Sequence, residues 1–87
     1  MRFLLSKEFK KKLQKSSVKL RSRLDERLLL FLKDTTNPIL NDHPLHGDYS
    51  GYRSLDVAGD IRLIYRKINQ DVALFVRFGT HHELYGN

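Results

Sequence analysis

The amino-acid sequence predicts an α+β fold in the order β-α-α-β-β-β: a four-stranded, mainly antiparallel sheet with two helices packed on one face. Three observations predict it. Helical apolar spacing is confined to the first 33 residues, alternating apolar and polar residues fall within residues 52–78, and the stretch between is dense in turn formers. The 87 residues are expected to form one domain, 1–87, because a chain this short buries only about 60% of its unfolded surface and has nothing left for a second core.

The opening Arg2-Phe3-Leu4-Leu5 is a short apolar run that reads as a strand, and Ser6 is placed to cap a helix running through Lys15. In that helix only Phe9 and Leu13 form an apolar face, while Lys10, Lys11, Lys12 and Lys15 spread over the remainder, so it is expected to be thinly anchored. After Ser16-Ser17, Leu20, Leu24, Leu28, Phe31 and Leu32 recur at helical spacing up to Lys33. This second, amphipathic helix needs a sheet to cover its stripe. From Asp34 to about Gly51, residues such as Asn37, Pro38, Asn41, Pro44, Gly47 and Ser50 predict a long irregular connection, a kind that is usually functional in compact domains. Three strands follow, Tyr52–Ala58, Ile61–Ile68 and Asp71–Phe78, joined by short turns at Gly59-Asp60 and Asn69-Gln70. Turns this short make an antiparallel meander. In the middle strand Ile61, Leu63 and Tyr65 alternate with Arg62, Ile64 and Arg66, which predicts one core-directed face and one open face able to present arginines. Gly79 to Asn87 reads as a tail.

Composition narrows the function classes. The chain has no cysteine, which removes disulfides and thiolate zinc sites. Phe3-Leu4-Leu5 is too short for the apolar core of a signal peptide, and the longest apolar run, Leu28 to Leu32, cannot span a membrane, so a cytoplasmic location is expected. The net charge of +6 suits a polyanionic partner. Its distribution is uneven: residues 1–33 hold eleven Lys/Arg against three Asp/Glu, while residues 34–87 hold five against seven. The basic half is either a solvated helical face or a footprint for nucleic acid, and an acidic partner segment suits it equally.

The four histidines fall in two clusters, His43 with His46 and His81 with His82. They admit three readings. Zinc binding is opposed by the adjacency of His81 and His82, whose side chains diverge on extended chain; solvated surface histidines are the simplest reading. General acid-base catalysis is the third. Metal-free RNA cleavage needs a base for the ribose 2′-OH, an acid for the leaving 5′-oxygen and cations beside the phosphorane, and imidazole can perform either proton transfer near neutrality. Arg62 or Arg77 on the open face would stabilise the phosphate charge. Asp60 is either a base, an orienting carboxylate or simply a turn residue after Gly59. Asp56 stands among apolar strand neighbours, where a carboxylate needs a partner. Tyr85 can stack on a base or pin the tail together with Leu84.

The segments Asp42-His43-Pro44-Leu45-His46-Gly47, Gly51-Tyr52-Arg53, Asp60-Ile61-Arg62-Leu63-Ile64-Tyr65 and Gly79-Thr80-His81-His82-Glu83-Leu84-Tyr85-Gly86 resemble, in order and spacing, YafQ-type members of the RelE/ParE toxin superfamily over about residues 42–86. The resemblance implies a RelE-like fold and a type II toxin that cuts mRNA in the ribosomal decoding site, using no metal or other cofactor. It also implies a cognate antitoxin that wraps and silences the toxin, with the pair binding operator DNA through the antitoxin. His43, Asp60 and His81 match catalytic positions, and Tyr85 a functional aromatic position, with Arg53, Arg77 and His46 as further substrate-binding candidates. Asp56 stands where such sequences can have a histidine, and Ile61 where a tryptophan can follow the aspartate. Arg62 resembles the strand arginine of RelE-like members, which implies a more cation-driven site. Two other functions are compatible with such a scaffold: a ParE-like gyrase poison, against which His43 and His81 argue, and a non-catalytic module binding RNA or protein.

Overall fold

Two serines set where the helices begin in the computed structural model, which describes residues 1–86. Ser6 ends strand β1 (Arg2–Leu5) and caps helix α1 (Lys7–Gln14), accepting the Phe9 N–H at 3.0 Å. Ser17 caps helix α2 (Val18–Lys33) in the same way, accepting the Leu20 N–H at 3.1 Å. These bonds satisfy amide donors that have no partner in the first helical turn. None of the described helices is long and apolar enough to cross a membrane.

The predicted architecture is borne out, with one strand more than expected. Strands β3 (Arg53–Ala58), β4 (Ile61–Asn69) and β5 (Val72–Thr80) form the antiparallel meander. β1 lies parallel to β5, with Leu4 opposite Leu74. The fifth strand is the two-residue β2 (His43–Pro44), which pairs with β3 inside the long connection and completes the order β1-β5-β4-β3-β2. That connection is therefore less irregular than expected. It also holds 3-10 turns at Pro38–Leu40 and Gly47–Tyr49, the first of which plugs Leu40 into the core.

The core lies between the sheet and the two helices. Phe9, Leu24, Leu28 and Phe31 pack on Leu55, Val57, Leu63, Tyr65 and Phe75. The first helix is better anchored than its apolar residues suggest. Phe9 meets Phe78 edge-on at 4.8 Å, and Lys12, expected among the solvated lysines, donates to the Phe78 carbonyl at 2.7 Å and lies 3.3 Å from Glu83.

Two bulges decide which residues face away from the helices. Val76 is an extra residue between the pairs Ile64–Arg77 and Tyr65–Phe75, so Phe75 and Phe78 both reach the core although three positions apart. Val57 is extra between the pairs Asp56–Arg62 and Ala58–Ile61. A bulge frees a carbonyl from the ladder, and each is taken by the helical layer: Ser6 Oγ donates to Val76 O at 2.7 Å and Arg27 Nε to Val57 O at 2.9 Å.

The opposite face, which the sequence predicts to be open, is closed along part of its length. Ser54 and Ile64, which point away from the helices, are fully buried. Residues 79–86 of the predicted tail are ordered into the end of β5 and a short helix, α3 (His81–Tyr85), which Thr80 caps through a reciprocal bond with Glu83 and from which Leu84 packs inward; Asn87 lies outside the described residues.

Candidate active site

Pairing and alternation bring residues far apart in sequence onto this second face. Ser54 is opposite His43 on one side and Ile64 on the other; Asp56 is opposite Arg62, and Arg62 opposite Gly79. Thr80 then ends β5 and α3 projects over the sheet. The result is a cavity of about 270 Å³ lined by His43, Leu45, Ser54, Arg62, His81 and Tyr85.

His43 and Arg62 are held from behind. Asn41 closes the Pro38–Leu40 turn in the left-handed conformation (φ 48°), which asparagine tolerates better than most residues. Its carbonyl lies 2.7 Å from His43 Nδ1. A carbonyl only accepts, so Nδ1 is the donor in this contact, and in the neutral ring the lone pair is then on Nε2. The Asn41 side chain donates to Asp56 Oδ2 at 3.3 Å, and Asp56 Oδ1 lies 3.0 Å from Arg62 Nε. Arg62 Nη1 donates to Gly59 O at 2.8 Å. Among the described residues Nη2 has no protein partner, leaving donors for an anion.

His81 opens α3, and its ring lies 4.6 Å from that of Tyr85, one helical turn later. Tyr85 is braced edge-on by Tyr49 at 5.7 Å. α3 itself is fastened by Glu83, whose carboxyl is held below its usual range by the Thr80 N–H and then by Lys12. The Gly79 of the sequence motif has a packing reason: a Cβ there would lie 2.8 Å from Lys12 Nζ and 3.0 Å from Glu83 Oε1.

The structure thus brings together His43, His81, Arg62 and Tyr85, with Asp56 as the tether behind Arg62. Other sequence candidates lie elsewhere. Asp60 is exposed in the β3–β4 turn and does not line the cavity. His46 is exposed in the loop, and Arg77 is engaged by Glu8 at 3.1 Å and by the Tyr49 hydroxyl at 2.6 Å. Arg53 is on the helix side of the sheet, where it donates to Asp42 Oδ1 at 2.7 Å. A larger cavity of about 620 Å³ opens there, where Asp42, Arg53 and Tyr65 are spent on one another and Lys67 stands apart at the rim. The Asp42 bond raises Arg53, and burial together with that same carboxylate raises the Tyr65 hydroxyl far above its ordinary value. Among the described residues no three His, Cys, Asp or Glu side chains gather in a way that would hold a metal ion.

Sequence reasoning missed Ser54 and Asn41. Strand alternation contained a signal for Ser54, two residues before Asp56 and hence on the same face. Nothing local announced Asn41.

The description "Bacterial toxin of type II toxin-antitoxin system, YafQ" belongs to a family whose model matches residues 1–86. The likeness therefore reaches through both basic helices, well beyond residues 42–86. The mRNA interferase toxin YafQ of Escherichia coli K12 is 40% identical over 62 residues, which is 68% of this chain and 66% of that protein. The crystal structure of YafQ from E. coli BL21(DE3) superposes with a TM-score of 0.81 at 27% identity, covering 97% of both chains. An E. coli DinJ–YafQ complex matches with a TM-score of 0.76 at 32% identity, again over 97% of each chain.

Proposed function

The chain belongs to the YafQ family of bacterial toxins of type II toxin–antitoxin systems, and from that premise we propose that it is a metal-independent mRNA endoribonuclease acting on translating ribosomes. Its similarity to a protein named an mRNA interferase supports the activity. The observation that carries the mechanism is the convergence of His43 and His81, 38 residues apart in sequence, on one cavity with Arg62.

In this reading His43 is the general base. Its Nδ1–H is tied to Asn41 O, so Nε2 takes the proton of the ribose 2′-OH as that oxygen attacks the adjacent phosphorus. His81, protonated, returns a proton to the departing 5′-oxygen. Arg62 Nη2 faces the extra negative charge of the phosphorane, and Tyr85 holds a base by stacking. Asp56 orients Arg62 and anchors Asn41, a positioning role suited to a carboxylate that already has cationic and amide partners. The products are a 2′,3′-cyclic phosphate and a 5′-hydroxyl.

The exposed lysines and arginines of α1 and α2 would dock on ribosomal RNA or on an acidic antitoxin segment. Complex formation by the E. coli relative with DinJ supports a protein antitoxin as the silencing partner, and operator DNA would be reached through that antitoxin. A cytoplasmic site of action follows from the substrate. Primer extension on translated mRNA tests the reading: His43→Ala and His81→Ala should each lower cleavage by about 10² to 10⁴ with circular dichroism unchanged. Normal cutting by both folded variants would refute the assignment.

A further inference from the structure

Next to the catalytic cavity, beyond Tyr85, is a second depression of about 440 Å³ that the mechanism does not use. Its walls include Tyr49, Tyr52, Asp48, Glu8 and Arg77. The two hollows share an aromatic wall. Tyr85 lines the first; Tyr49, perpendicular to it at 5.7 Å, lines the second; and Tyr52 stands perpendicular to Tyr49 at 6.1 Å. Tyr49 is fixed in place, because its hydroxyl accepts from Arg77 Nη1 at 2.6 Å and donates to Leu84 O at 3.3 Å.

The charges limit what this depression can hold. Arg77 is already paired with Glu8, whereas Asp48 is exposed and makes no ion pair among the described residues. A hollow with one spare carboxylate repels a phosphate. It suits an uncharged, flat group that stacks on a phenol ring and offers N–H donors at its edge. Single-stranded RNA supplies such groups, since its bases splay out to stack on aromatic side chains and bond through their edges.

We propose that Tyr49, Tyr52 and Asp48 form a nucleobase subsite for a nucleotide flanking the scissile phosphate. It takes a base carrying an exocyclic amino group, and guanine best, because guanine presents adjacent N1–H and N2–H donors to one carboxylate. This rests on the nuclease reading for its place in the reaction. It explains why the Gly47–Tyr49 turn is built at this corner: the turn delivers Asp48 and Tyr49 together, and Tyr52 N–H closes back on Tyr49 O at 2.9 Å.

Two measurements test it. In the first, cleavage sites are mapped on translated mRNA. Tyr52→Ala should lower cutting at preferred sites by about tenfold, the loss of one base stack. Asp48→Asn should flatten the preference for a flanking guanine, and Tyr52→Phe should restore both rate and pattern. In the second, His81→Ala protein is titrated by NMR with uridine pentamers carrying one central guanosine, adenosine or cytidine. The Tyr49 and Tyr52 ring signals should shift most with guanosine and least with an all-uridine pentamer. Wild-type cutting whose rate and site pattern survive Tyr52→Ala overturns the subsite, as do ring signals that no pentamer moves. If the wild-type protein does not cut but guanosine still moves the tyrosines, the nuclease reading fails and the base subsite stands.

Discussion

The helical half and the sheet half of this small protein divide the work in opposite ways. Residues 1–33 carry an excess of eight positive charges and none of the cavity-lining residues; residues 34–87 are net negative by two and carry them all. The cationic surface is therefore not the surface on which the proposed chemistry lies. The halves are nevertheless coupled, since Ser6 and Arg27 hold the carbonyls of the two bulges, and Lys12 and Glu8 reach Glu83 and Arg77. The Val76 bulge puts Arg77 on the face opposite the core, where alternation along β4 already puts Arg62. So the basic half acts on the site by fixing sheet geometry, while its charge is free for docking.

The largest effect expected from breaking this division is at Arg62. Arg62→Ala should lower cleavage at saturating ribosome concentration by about 10² to 10³, the usual loss when one donor to a developing anion is removed. Lys10→Ala with Lys11→Ala, on the exposed side of α1, should leave that limiting rate intact. It should raise KM and flatten the dependence of KM on salt. A fall in the limiting rate with the lysine pair, or a pure KM effect at Arg62, would mean that charge and chemistry are not separate.

A smaller effect separates two carboxylates that the sequence offers as candidates on different grounds. Asp56→Ala removes both the carboxylate 3.0 Å from Arg62 Nε and the acceptor of the Asn41 side chain, and the loss of aim at Arg62 should slow cleavage about tenfold, less than loss of the guanidinium itself. Asp60→Ala, in an exposed turn, should change the rate by no more than about twofold. Equal losses would return Asp60 to the mechanism.

That contrast shows where the sequence was legible. Both helices, the meander and its turns follow from apolar periodicity and capping serines, which are local signals. That His43, His81, Arg62 and Tyr85 line one cavity was within reach of the sequence, because they were picked out as the residue types that acid-base chemistry on RNA would need. The misreadings share a cause. Which face a residue occupies after Val57 or Val76 depends on bulges, and a bulge is fixed by bonds to Arg27 and Ser6 thirty or more residues away. Asn41 is invisible for the same reason, since its role is a backbone carbonyl aimed by a left-handed turn. Lys12 looked solvated because its partners, Phe78 O and Glu83, lie 66 and 71 residues on.

The smallest expected effect concerns the Lys12–Glu83 ion pair, by which α1 holds the helix that carries His81 and Tyr85. Glu83 is depressed by the Thr80 N–H and Lys12. A lowered folded-state pKa stabilises the structure above the unfolded value of 4.5, and that contribution fades as pH falls through the folded value. Lys12 and Glu83 are both well exposed, so screening keeps the pair below about 1 kcal/mol. The fold should therefore survive acidification past this titration while α3 loosens. NMR of the His81 and Tyr85 rings below pH 4.5 should show them losing their mutual contact before the core signals of Phe31 and Phe75 change. Glu83→Gln should abolish that early acid step and leave α3 equally loose at neutral pH. Rings that part only when the core does would show that α3 is held by Leu84 packing alone and that the basic helix has no grip on His81.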